Sequence, residues 1–208
     1  MSRLVIPVKI LCGLRKHDII ASRLEVLRPQ LETVPGLWEM FRKCFLSTIE
    51  TTVKISEGDT FVITGDIPAM WLRDSTAQVL HYLRFADNQE VAEMIEGLIS
   101  RQTDCIKRDP YANAYNREPP DFKPFDDEPR PNDWVWERKY EIDSLCYPLW
   151  LCYRYWKATG DDAVLAQLPQ VVETILGVWR TEQHHVEKSP YRFTRTDCPY
   201  QDTIHNNG

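Results

Sequence analysis

The chain has 208 residues, a formal net charge of −6, and a composition that is 43% hydrophobic, 27% charged and 11% aromatic. Such a length buries a substantial core in one or two domains, and this composition excludes a disordered chain. The acidic balance excludes a broad nucleic-acid footprint, which needs a clustered basic surface.

In chain order, the apolar opening Leu4–Cys12 is interrupted by Lys9, and no small-residue cleavage site follows it cleanly. A cytoplasmic location is expected ahead of a secreted one. No stretch approaches the roughly 18 apolar residues of a membrane span, so no membrane partner is expected. Between Ser22 and Val34 the spacing of Leu24, Leu27 and Leu31 predicts a helix. After Pro35-Gly36, a second carries Leu37, Phe41, Cys44, Phe45, Thr48 and Ile49 on one stripe. Thr60–Thr64 alternates like a strand and Gly65 ends it. A third helix, capped by Asp74 or Ser75, would carry Val79, Leu80, Leu83 and Phe85; a fourth, capped by Asn88, turns Val91, Ile95, Leu98, Ile99 and Ile106 inward. Asp109–Arg138 is a long polar connection rich in proline, of a length usually reserved for function. A fifth helix runs from about Ile142 to Ala158 and stops at Gly160. Asp161 opens the next stretch, which Pro169 restarts ahead of Val172, Ile175, Leu176 and Trp179. The fold class is therefore all-α, with paired antiparallel helices. The six cysteines are scattered without a Cys-x-x-Cys pair and read as reduced thiols.

Two segments concentrate chemistry. Thr64–Ser75 sets Asp66, Trp71, Arg73 and Asp74 around a Gly/Pro turn leading into a helix start. A guanidinium fork beside a carboxylate can grip vicinal hydroxyls, and a helix N-terminus favours the carboxylate. The plainer reading makes Asp74 an N-cap, Arg73 its ion-pair partner and Trp71 a core residue. In Trp134–Ser144, Glu141 and Asp143 flank one apolar residue, with Trp136 and Tyr140 nearby. Paired carboxylates suit acid/base work or hydroxyl binding; the alternative is that Asp143 or Ser144 caps the following helix. Asn113, in Tyr111–Asn116, offers an amide contact or a turn. His184-His185 with Glu187 has no zinc spacing, and neither a phosphate loop nor Gly-x-Ser-x-Gly occurs. No metal or other cofactor is expected.

The stretch Phe61–Ser75 resembles the signature of glycoside hydrolase family 125, and Asp109–Asn116, Lys139–Pro148 and Ser189–Phe193 agree with it in order and spacing. The likeness runs from about Trp38 to Gly208 and leaves residues 1–20 unmatched, so residues 21–208 are taken as the N-terminal half of one catalytic domain. It implies an (α/α)6 toroid, present as an incomplete N-terminal half, and an inverting, metal-independent exo-α-1,6-mannosidase acting on mannose-containing glycans. On that likeness Trp71, Arg73 and Asp74 line the mannose subsite, with Glu141, Asp143, Asp66 and Asn113 as further binding groups. The likeness places the acid and base beyond Gly208, so no catalytic residue is expected in this chain. An incomplete ring exposes apolar flanks and should self-associate. The alternative is a non-catalytic helical module that binds glycan or protein.

Overall fold

The computed structural model describes residues 16–119 and 127–195. The apolar opening, Cys12, Cys198, His205, part of the Pro-rich connection and the stretch up to Gly208 lie outside the described residues. The described residues are mostly helical and include three small sheets, and no described helix is long and apolar enough to cross a membrane.

The first helix, α1 (Lys16–Leu24), begins earlier than expected, crosses residue 20, and buries Ile19, Ile20 and Leu24. A short 3-10 turn follows, and α2 (Arg28–Leu31) restarts on Pro29. Proline lacks an N–H, so Pro29 cannot close the helical bond to the Glu25 carbonyl, and the single helix read over Ser22–Val34 is interrupted there by the 3-10 turn Glu25–Leu27. Helix α3 (Leu37–Ser47) buries Trp38 and Leu46 and widens into a π-turn over Thr48–Thr52.

Strand β1 (Val53–Ser56) pairs antiparallel with β2 (Asp59–Val62). Glu57 and Gly58, both with positive φ, form the two-residue turn, the geometry that matches strand twist in tight hairpins. The hairpin lies against α5 (Gln89–Arg108) at Gly97, where a Cβ would stand 2.7 Å from the Gly58 carbonyl oxygen. Only glycine permits that approach.

The third expected helix divides into α4 (Leu72–Val79) and a 3-10 stretch, Leu80–Phe85. Neither Asp74 nor Ser75 caps it; extended Trp71 precedes it. Helix α5 has the expected cap, with the Asn88 side chain accepting from Val91 N at 3.2 Å, and all five expected inward residues are buried. Helix α6 (Ile142–Thr159) ends at left-handed Gly160, whose N–H donates to the Trp156 carbonyl at 2.8 Å. Glu141, not Asp143 or Ser144, holds the N-cap position of α6. Asp161 caps a 3-10 turn before α7 (Leu168–Glu182), and α8 is His185–Lys188. On α7 the buried stripe is Val171, Ile175 and Val178 rather than Val172, Ile175, Leu176 and Trp179. Both sets fit a 3.6-residue period; packing on α5 selects the first.

The strand pairings beyond β2 were not legible. Strand β3 (Met70–Trp71) pairs with β4 (Ala114–Tyr115), which pairs with β6 (Val135–Glu137); β5 (Asp127–Glu128) pairs with β7 (Thr194–Arg195). Two- and three-residue strands carry no period to read. In the β3-β4-β6 sheet, β4 joins Trp71, at the threshold of α4, to β6, the strand that leads to Glu141.

Candidate functional site

Helices α4 and α6 pack together, so their first turns, 68 residues apart in sequence, open on one place. Arg73 lies at their junction. Its Nη1 donates to Glu141 Oε2 at 3.0 Å and to Asp143 Oδ2 at 3.1 Å. Its Nη2 stands 3.5 Å from Asp74 Oδ2. The two segments singled out in the sequence therefore form one constellation, and the capping alternatives for Asp74 and Asp143 are not what these side chains do. Ser144 Oγ also donates to Glu141 Oε2, at 3.1 Å.

The cluster is open to solvent, with Arg73, Asp74, Glu141 and Asp143 side chains 35%, 35%, 26% and 43% exposed. Partial burial opposes the Arg73 charge, but the hydrogen bond to Asp143 and the charges of Glu141, Asp143 and Asp74 outweigh it and hold its pKa above the ordinary value. One cation among three carboxylates leaves a net negative patch. Glu141 Oε1, Asp143 Oδ1 and Asp74 Oδ1 have no hydrogen-bond partner among the described residues. Outward acceptors of this kind suit the hydroxyls of a neutral polyol and repel an anionic ligand. Both carboxylate-bearing first turns also lie at positive helix ends.

The other expected site residues are placed differently. Trp71 is half-buried, its N–H 3.3 Å from Thr64 Oγ1. Asp66 is exposed on the Thr64–Ile67 turn and makes no hydrogen bond to the cluster. Asn113 is fully buried with its amide engaged inside the chain: Nδ2 donates to Glu137 Oε1 at 2.8 Å, and Oδ1 accepts from Lys139 N at 3.3 Å.

Sequence reading missed a second arginine centre. Arg195 Nε and Nη2 donate to the two oxygens of Asp127 at 2.6 and 2.8 Å, and Nη1 donates to Glu137 Oε2 at 2.9 Å. It also missed Glu182, which accepts from Tyr111 Oη at 2.8 Å, Ser189 Oγ at 2.5 Å and, across Oε2, lies 2.7 Å from His185 Nδ1. Burial and Glu182 together push the Tyr111 phenol up to about 12. Tyr111 stacks on Tyr191, whose hydroxyl accepts from Tyr140 N at 2.9 Å, one residue before Glu141. The Ser189–Phe193 segment was the available signal for this last contact.

Clefts of about 360 and 350 Å³ lie around Arg101 and around Glu96 and do not include the Arg73 cluster. Among the described residues no group of His, Cys, Asp and Glu is arranged to hold a metal ion.

The family model described as metal-independent alpha-mannosidase (GH125) matches residues 35–208. The meiotically up-regulated gene 157 protein of Schizosaccharomyces pombe is 33% identical over 175 residues, which cover 75% of this chain and 34% of that protein. A metal-independent alpha mannosidase of Streptococcus pneumoniae, solved as a non-productive complex with alpha-1,6-mannobiose, aligns with a TM-score of 0.83 at 42% identity. The alignment covers 92% of this chain and 46% of that one. This chain thus spans less than half the length of either relative.

Proposed function

Because this chain belongs to the metal-independent α-mannosidases of glycoside hydrolase family 125, we propose that its Arg73 cluster grips the terminal mannose of an α-1,6-linked mannoside. The observation that carries this reading is the convergence of Glu141, Asp143 and Asp74 on one guanidinium with three carboxylate oxygens left facing outward. Arg73 fixes the carboxylates, and these accept from sugar hydroxyls in charge-assisted bonds. Half-buried Trp71, one residue before α4, supplies an apolar face for the C–H side of a pyranose. The streptococcal neighbour's complex with alpha-1,6-mannobiose supports the choice of linkage.

Inverting hydrolysis takes a carboxylic acid and a carboxylate about 6.5–9.5 Å apart, with a water between the base and the sugar. Carboxylates tied to a single arginine suit ground-state binding better than proton transfer. On the family likeness, the acid and base are proposed to lie in the part of the family's fold that this chain does not span. A second reading, a helical module that binds without hydrolysing, draws on the exposed Ile142, Trp150 and Tyr153 along α6.

Titration of α-1,6-mannobiose into the full protein, monitored by calorimetry, tests the proposal. A hydrogen bond to a charged group is worth about 1.5–3 kcal/mol, so Arg73→Ala should weaken binding by about 10- to 100-fold. Unchanged affinity in that variant overturns the sugar reading and favours the module.

A further inference from the structure

We propose that Asn113 is the positioning residue of the Arg73 cluster: it sets the distance between the two segments that make the cluster, and it does so without touching the sugar. This inference rests on the sugar-binding reading above. The cluster depends on registering the start of α4 against the start of α6, and Asn113 is bonded to both approaches. Leu72 N, adjacent to Arg73, donates to the Asn113 carbonyl at 3.1 Å. Lys139 N, two residues before Glu141, donates to Asn113 Oδ1 at 3.3 Å. The remaining amide nitrogen is held by Glu137 Oε1 at 2.8 Å, and the Asn113 N–H donates to the Glu137 carbonyl at 3.3 Å.

The amide has one workable orientation. Rotated by half a turn, its oxygen would face the Glu137 carboxylate and its NH2 would face the Lys139 N–H. Glu137 cannot rotate away from this duty, because its second oxygen is held by Arg195, itself forked onto Asp127. Arg195, Asp127 and Glu137 side chains are only 10%, 2% and 12% exposed. A buried ion network is weak evidence for stability, since apolar residues of the same volume do as well. What it supplies here is a fixed carboxylate that orients one amide, and that amide joins the two segments.

An exchange of roles tests this. Asn113→Asp sets two carboxylates face to face, and Glu137→Gln sets an NH2 against either the Asn113 amide or Arg195. The double variant Asn113→Asp/Glu137→Gln rebuilds the pair with donor and acceptor exchanged, conserves total charge, and still presents acceptors to Lys139 N and Arg195. Misplacing a site by about 1 Å can cost up to about 100-fold. Each single variant of the full protein should therefore bind α-1,6-mannobiose about 10- to 100-fold more weakly, and the double variant should regain most of the affinity.

Calorimetric affinities, read beside thermal melts and the Arg73→Ala control, separate the outcomes. If Arg73→Ala is silent, the sugar reading is lost. If Arg73→Ala weakens binding while Asn113→Asp does not, the sugar reading stands and the positioning role falls. Weak single variants whose double is equally weak, or does not fold, also overturn the positioning role. Should a single variant fail to fold, the affinity of the double decides.

Discussion

Two arginines in this protein are each surrounded by carboxylates, and they differ in what the surroundings leave over. Arg195 is spent: its fork fills both oxygens of buried Asp127 and one of Glu137, and the other Glu137 oxygen is taken by Asn113. Arg73 holds Glu141, Asp143 and Asp74 by one oxygen each, at the surface, and leaves the other oxygens outward. The first arrangement is closed and rigid, while the second has binding capacity to spare. Counting ion pairs would treat them alike. Their burial and their unused acceptors separate a frame from a site.

Removing the frame's cation should have the largest effect. Arg195→Met leaves Asp127 and Glu137 buried without their cation, Glu137 keeping only its bond from Asn113, and breaking a buried pair from one side costs about 3–5 kcal/mol. Denaturant unfolding of the variant beside the parent gives the number. A loss below about 1 kcal/mol would mean that water reaches Asp127 and Glu137, and that the two centres are alike after all.

Glu182 sharpens the comparison, because it is a closed carboxylate centre without an arginine. Burial raises its pKa, but hydrogen bonds from His185, Ser189 and Tyr111 outweigh burial and hold it below the usual carboxylate range. A pKa depressed on folding adds stability above the unfolded value, about 4.3, and that stability is lost as pH falls through the folded value. Glu182→Gln keeps one acceptor for Tyr111 and Ser189 but gives up the charge that strengthens these bonds, so it should cost about 1–3 kcal/mol at neutral pH. Its stability should also fall less steeply than the parent's below about pH 4. Parallel acid limbs in the two proteins would show that Glu182 does not titrate differently on folding.

The helical framework was legible where its causes are local. Asn88 capping α5, Gly160 ending α6 and Asp161 opening the next turn are decisions made within four residues. The candidate site was half legible. A charged group at a helix start is visible in Arg73-Asp74 and in Glu141–Asp143, but their meeting depends on α4 lying against α6. Local reasoning placed the caps at Asp74 or Ser75 and at Asp143 or Ser144, whereas Trp71 and Glu141 occupy those positions. The β3-β4-β6 sheet aligns these starts, and its strands are too short to announce themselves. Arg195 and Asp127 pair across 68 residues with no periodicity to mark either one. Asn113 was read as an amide contact or a turn and, on the family likeness, as a binding group, while its burial and its engagement with Glu137 and Lys139 could be read only from the fold.

The smallest stability effect belongs to the residue at the centre of the proposed binding cluster. Arg73→Ala removes a cation whose partners remain hydrated, and exposed pairs of this kind contribute about 0–1 kcal/mol. Asp74 and Asp143 keep the favourable field of their helix starts, and the repulsion among the three carboxylates is about 1 kcal/mol per pair or less in high dielectric. Denaturant unfolding should therefore place Arg73→Ala within about 1 kcal/mol of the parent. The difference should shrink as salt is raised toward 1 M, where the screening length falls to about 3 Å. Arg195→Met, shielded from ions, should keep its deficit at the same salt. If Arg73→Ala instead lost as much stability as Arg195→Met, and lost it at every ionic strength, the Arg73 centre would be part of the frame, and its outward oxygens would have to be engaged by the protein itself.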